Sequence, residues 1–118
     1  MYDENNPDRV KQCRRLNDEL RMSMGRCDSK NVVVLTIGIR AMGDEFVTKA
    51  LDAIRVFKDF NKDNDPYLEH DVVSVSVDGA KVMAKIDYFD NSLVYHSPNK
   101  VDPAVTKRMM TIMLASEY

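Results

Sequence analysis

Apolar residues recur along this chain in two rhythms, one helical and one extended. Val10, Cys13, Leu16, Leu20 and Met24 fall at steps of three and four, which predicts a first helix with one buried stripe. Asn6 is placed to cap it, Pro7 to open it and Gly25 to stop it. "NVVVLTIGI" is continuously apolar and β-branched, so it predicts a strand buried on both faces at the centre of a sheet. "GDEFVTKALDAIRVFKDF" returns to the helical spacing, with Phe46, Ala50, Ala53, Ile54 and Phe57 inward and Asp44 and Glu45 at the positive end.

The extended rhythm takes over in "HDVVSVSVDGAKVMAKIDYFDNSLVYHS". Asp78-Gly79 between alternating segments predicts a type I′ hairpin, and Asp90-Asn91 a second turn, giving an antiparallel meander of three strands. In "VDPAVTKRMMTIMLASEY", Asp102 and Pro103 predict the start of a third helix, with Val105, Met109, Ile112 and Met113 on its buried side. The sum is one α+β domain over residues 1–118. It has three helices packed on an antiparallel sheet of about four strands, in the order α-β-α-β-β-β-α.

The hairpin fixes a register. A two-residue turn at Asp78-Gly79 pairs Val77 with Ala80, Val75 with Val82 and Val73 with Ala84. These residues, with Ile86, Tyr88, Leu93 and Tyr95, form the face that helices should cover. On the opposite face Val72 meets Lys85 and His70 meets Asp87; across the second turn Asp87 neighbours Val94 and Lys85 neighbours His96. Both histidines are thereby expected beside Asp87 and Lys85. That arrangement serves acid-base work, a pH-sensitive contact or simply a solvated, charge-paired sheet face. No Ser or Cys is activated by either histidine in this register, so no hydrolytic triad is expected.

"FKDFNKDNDPYLEHDVVSV" sets a dense polar joint between the second helix and the hairpin. Counted from Asp59, the first four ligand positions of a calcium loop hold Asp59, Asn61, Asp63 and Asp65. The twelfth position, which needs a bidentate carboxylate, holds His70, and Pro66 follows position seven. The joint is therefore read as Asx-turn chemistry that ends a helix and starts a strand, with no bound metal expected. Asp63, Asp65 and Glu69 are read as exposed acids.

Nineteen acidic against seventeen basic residues give a net charge of −2, too balanced for direct nucleic-acid binding or for wholesale mimicry of DNA. The basic residues Lys11, Arg14, Arg15 and Arg21 lie off the first helix's stripe and read first as a solvated face and second as a contact surface for an acidic partner. Cys13 and Cys27 form no zinc or redox pattern and read as reduced thiols. No apolar run approaches the roughly 20 residues that span a bilayer, and the polar "MYDENNPDRV" is unlike a signal peptide, so no membrane partner and a cytosolic location are expected. With four glycines and no phosphate cradle, no cofactor is expected.

"DNDPYLEHD", "KIDYFD" and "TIMLASEY" together resemble the signatures of a family of small uncharacterised bacterial proteins common on proteobacterial plasmids and phages. Members of that family usually carry Gly at the position of Leu68 and Tyr at that of Phe89, so with Leu here the resemblance gives no argument for an unusual backbone at residue 68. The resemblance implies no reaction. It implies a mobile-element protein, and with it a non-enzymatic inhibitor of a host defence nuclease such as a CRISPR or restriction complex. Its partner would be a host protein or nucleoprotein complex. The binding residues on this view are Asp63, Asp65, Glu69, His70, Asp87, Lys85 and His96. The alternative is a small enzyme or ligand binder that uses the His/Asp/Lys cluster on the polar sheet face.

Overall fold

A computed structural model describes residues 6–26 and 30–118; Cys27 and the first five residues lie outside them. Helix α1 spans Pro7–Ser23 and is capped as its sequence dictates: the Asn6 side chain accepts from the Asp8 amide at 2.9 Å, and Met24 and Gly25 turn left-handed at its end. Strand β1 (Val32–Leu35) is short because Thr36 caps a five-residue helix α2 (Ile37–Ala41) immediately after it. Helix α3 runs over Asp44–Val56, with Phe46, Ala50 and Ile54 buried as their spacing requires. Strands β2 (Val72–Val77), β3 (Ala80–Phe89) and β4 (Lys107–Leu114) follow.

The α+β class, with three helices and a four-stranded sheet, agrees with the pattern of the chain, and so does the first hairpin. Asp78 and Gly79 both have positive φ (50° and 85°), as a type I′ turn requires, and the pairing runs from Val77–Ala80 to Val72–Lys85 without a slip. Val73, Val82, Ala84 and Ile86 are buried and Val75 is half-buried, all in the core that α1 and α3 close.

Three expectations fail, and they fail together. The segment 107–114 is a strand, not a helix. It sits between β1 and β3 in the order β1-β4-β3-β2, antiparallel to β3 and parallel to β1, so the sheet is mixed. Arg108, Met110 and Ile112 are its buried inward set, a period of two; the buried Arg108 disguises that period as a polar position. Asp102 and Pro103 form a turn rather than a helix cap: the Asp102 carboxylate accepts from Ala104 N at 2.9 Å and its carbonyl from Val105 N at 3.2 Å.

Because β4 occupies the free edge of β3, the expected third meander strand has no place. Residues 90–97 fold back as a loop around the Asp90 carboxylate, which accepts from the Ser92 hydroxyl and the Val94 amide, and only a single bridge, Phe89–His96, remains. For the same reason β1 is an edge strand, half-buried along its length, instead of the central one. At the end of β4, Glu117 accepts from the Thr36 hydroxyl (2.7 Å) and from the amides of Gly38 (3.0 Å) and Leu114 (2.8 Å), tying the chain's last turn to the start of α2. A side chain at Gly38 would collide with that carboxylate, its Cβ falling 2.4 Å from Glu117 atoms.

The strand assignment of 107–114 predicts unequal costs at adjacent methionines. Met110→Ala, which empties a fully buried site, is expected to lower stability by about 2–5 kcal/mol in denaturant titration. Met109→Thr, on the open face, should change it by less than about 1 kcal/mol.

Candidate functional site

Residues 57–71 link α3 to β2, and at the end of this joint Asp65, Glu69 and His70 turn inward. Asn61 and Asn64 close the first turn on themselves: the Asn61 side chain accepts from the amides of Asp63 (2.8 Å) and Asn64 (3.0 Å), and the Asn64 Oδ1 accepts from Asn61 N at 2.7 Å. Asp65, expected on the surface, is 2% exposed, and its Oδ1 accepts from the His70 amide at 3.0 Å. Within the calcium-like run, the side-chain oxygens of Asn61, Asn64 and Asp65 are thus engaged by the run's own backbone. Among the described residues no group of three or more His, Cys, Asp or Glu side chains is placed to hold a metal.

His70 does not face Asp87. Its backbone is left-handed (φ 57°), so the hairpin register stops before it, and the imidazole turns toward α1 instead. Nδ1 lies 2.8 Å from Asp18 Oδ1, Nε2 lies 3.4 Å from Asp65 Oδ2, and the ring stacks flat on Phe60 with centroids 3.6 Å apart. Asp65 Oδ2 is buried and accepts no hydrogen bond, so only Asp18 has hydrogen-bonding geometry toward the ring. Arg21 completes the cluster: Nη2 bonds Asp18 at 3.0 Å, while Nη1 donates to the carbonyls of Ile54, Arg55 and Phe57, each at 3.0 Å. A buried guanidinium thereby satisfies the orphan carbonyls and the negative end of α3.

Glu69, also expected to be exposed, anchors a second buried cluster. Its carboxylate accepts from Tyr88 Oη at 2.8 Å and from Lys100 Nζ at 2.6 Å. Asn17 donates to Tyr88 Oη (2.7 Å) and to the Glu69 carbonyl (3.0 Å), and accepts from Arg108 Nε at 2.8 Å. Arg108, 2% exposed, also donates to the Lys100 carbonyl at 2.6 Å and lies over the Tyr88 ring. Burial pushes the Tyr88 phenol well above its ordinary range and raises the Cys13 thiol, which lies 3.7 Å from the Glu69 carboxylate. Cys13 is thus an inert buried thiol.

Above this cluster a cleft of about 770 Å³ opens between the first half of α1 and the joint. Pro7, Val10 and Arg14 form one wall, Pro66 and Leu68 the other, with Glu69, Asp71, Tyr88 and Lys100 below. Tyr67 (74% exposed) and Leu68 (52% exposed) stand at its rim. Leu68 is left-handed (φ 62°), although it is not a glycine; its carbonyl accepts from Arg14 Nη1 at 3.2 Å. A leucine in that region costs roughly 1–2 kcal/mol, and two such residues, Leu68 and His70, flank Glu69.

The seven residues singled out in the sequence are therefore dispersed. Asp63 is exposed on the joint; Asp65 and His70 belong to the first cluster, Glu69 to the second. Lys85 and Asp87 pair with each other at 3.4 Å on the open sheet face, where Lys85 meets Val72 as expected but Asp87 meets Met109 instead of His70 and Val94. His96 is exposed in the 90–97 loop, bridged to Phe89 and not beside Lys85. Asn17, Tyr88, Lys100 and Arg108 were not singled out, and Arg21, expected on a solvated face, is buried. Asn17 and Arg21 share a helix face with Cys13 and Leu20, so polar residues at core spacing were the available signal.

Burial, followed by the nearby Glu69 and Asp65 charges, raises the pKa of Asp71. A carboxyl raised in the folded state stabilises the fold below its unfolded pKa, and that advantage is lost as pH rises through the folded value. Asp71→Asn should therefore raise the melting temperature at neutral pH, with the gain vanishing as pH falls below the ordinary carboxyl range. Lys100→Met, which strips Glu69 of its cation, should cost about 1.5–3 kcal/mol in denaturant titration.

A family model described as "Protein of unknown function (DUF3768)" matches residues 35–117. The match takes in α2, α3, the joint and β2 to β4, and leaves out α1. No curated protein and no solved structure matches the chain.

Proposed function

The chain belongs to the DUF3768 family of proteins of unknown function, and from its geometry we propose that it is a non-enzymatic binding protein that engages a partner protein through the Pro66–Leu68 ridge. One observation carries this reading: two large apolar side chains, Tyr67 and Leu68, are presented to solvent by a joint whose left-handed backbone is held by buried polar clusters on either side. Strain of this kind persists where the surrounding structure over-determines it, and such sites concentrate at ligand contacts. Tyrosine on a rigid support beside a cleft is the usual make-up of a binding hot spot. The acid-base groups nearby bond mainly one another, which suits architecture better than catalysis.

The partner class we favour is a host defence nuclease, a CRISPR or restriction complex in the cytosol, on the ground that the three signature segments resemble plasmid and phage proteins. With Asp65 and Glu69 buried, the exposed acids of the joint reduce to Asp59 and Asp63, so the apolar ridge replaces the acidic surface as the main contact. A second reading, a ligand binder or small enzyme, rests on Asp71, a half-buried carboxylate in the cleft wall.

Leu68→Gly separates binding from stability. Relief of the left-handed leucine should add about 1 kcal/mol to stability, while loss of the side chain weakens capture of the partner from host lysate, quantified by mass spectrometry. Tyr67→Ala should weaken capture without changing stability by more than about 0.5 kcal/mol. If both variants capture the partner and inhibit the nuclease in cells as the parent does, the ridge is not the contact. If only Asp71→Asn abolishes function, the cleft reading takes its place.

A further inference from the structure

The outer edge of β2 is open, and its hydrogen-bonding phase can be read from one contact. Ile86 N donates to the Asp71 carbonyl at 2.8 Å, so the hydrogen-bonded pairs of the β2–β3 ladder continue at Val73–Ala84, Val75–Val82 and Val77–Ala80. The amides and carbonyls of Val72, Ser74 and Ser76 consequently point away from β3. β2 ends the strand order, and among the described residues no other segment's backbone pairs with those groups. Edge strands are normally protected by lysine, proline, a bulge or a covering loop. "VVSVSV" has neither lysine nor proline, and its pairing with β3 is continuous, without a bulge.

We propose that this edge pairs with the same edge of a second copy of the chain, antiparallel about a two-fold axis at Ser74, joining two four-stranded sheets into one of eight strands. A second copy fits because the edge is complementary to itself. Its three outward residues are spaced symmetrically about Ser74, so a two-fold sets Ser74 opposite Ser74 and Val72 opposite Ser76. Every outward amide then meets an outward carbonyl. No charged side chain stands opposite its own copy within the strand, and Ser74 and Ser76 are small and lie on the solvated face. The Lys49–Asp78 pair, at 3.2 Å, lies beyond the last of these residues and leaves the edge clear. This pairing does not depend on the ridge at Tyr67 and Leu68.

The test is the mass of the full chain across a concentration series by sedimentation, with circular dichroism on each variant. The parent should pass from monomer to dimer. Ser74→Pro removes an amide that β3 does not use, so the fold should remain while the dimer weakens roughly tenfold or more. Ser74→Lys and Ser74→Glu each oppose like charges at the axis and should weaken it roughly fivefold, and mixing the two should restore a dimer. A parent that stays monomeric overturns the proposal, as does a dimer that these variants leave intact or a lysine–glutamate mixture that fails to associate. Should Ser74→Pro not fold, the charge pair decides alone.

Discussion

The hydrogen-bonded cluster around Glu69 is the constraint on which the rest of the structure depends. It ties together α1 through Asn17, the joint through Glu69, β3 through Tyr88, the 98–106 segment through Lys100 and β4 through Arg108. Leaving any of these charges buried without its partner would cost about 1.5–3 kcal/mol, so the cluster fixes the elements relative to one another. The directional bonds also choose between packings. A purely apolar interface would tolerate rotation of α1 about its axis, whereas Asn17 can reach Tyr88, Glu69 and Arg108 in only one setting.

Much of the fold was legible because its signals are local. Asn6, Pro7 and Gly25 bracket α1 by backbone geometry, and Asp78-Gly79 can hardly avoid a tight hairpin between alternating valines. What was not legible depends on distant partners. Residues 107–114 satisfy both a helical and an extended pattern, because methionine is tolerant of either and Arg108 breaks the alternation. Only the gap between β1 and β3, with hydrogen bonds available on both sides, decides for a strand. The placement of the candidate residues depends on distant partners too. Asp65 and Glu69, expected as exposed acids, are buried as internal braces, and His70, expected beside Asp87, turns to Asp18. One positive φ at His70 was enough to uncouple it from the strand register.

The two polar clusters also divide the labour along α1. Near its end Arg21 closes α3 through three carbonyls; further back Cys13 lies against the Glu69 carboxylate and Asn17 bonds the Glu69 carbonyl. The joint between them has its backbone direction imposed from both sides, which is how two left-handed residues are accommodated within three positions. Rigidity there comes from charge placement rather than from apolar packing, since Tyr67 and Leu68 contribute their surfaces to solvent.

The parallel pairing of β1 with β4 has a consequence for how the chain reaches this state. β2 and β3 meet across a two-residue turn, whereas β1 must wait for residues 36–106 to pass before its sheet partner β4 exists. Loop-closure entropy makes such a contact late in assembly, after the hairpin and β4 have formed a template. Until then "VVVL" is an unpartnered β-branched segment, and the interval before β4 arrives is when the nascent protein is most exposed to aggregation.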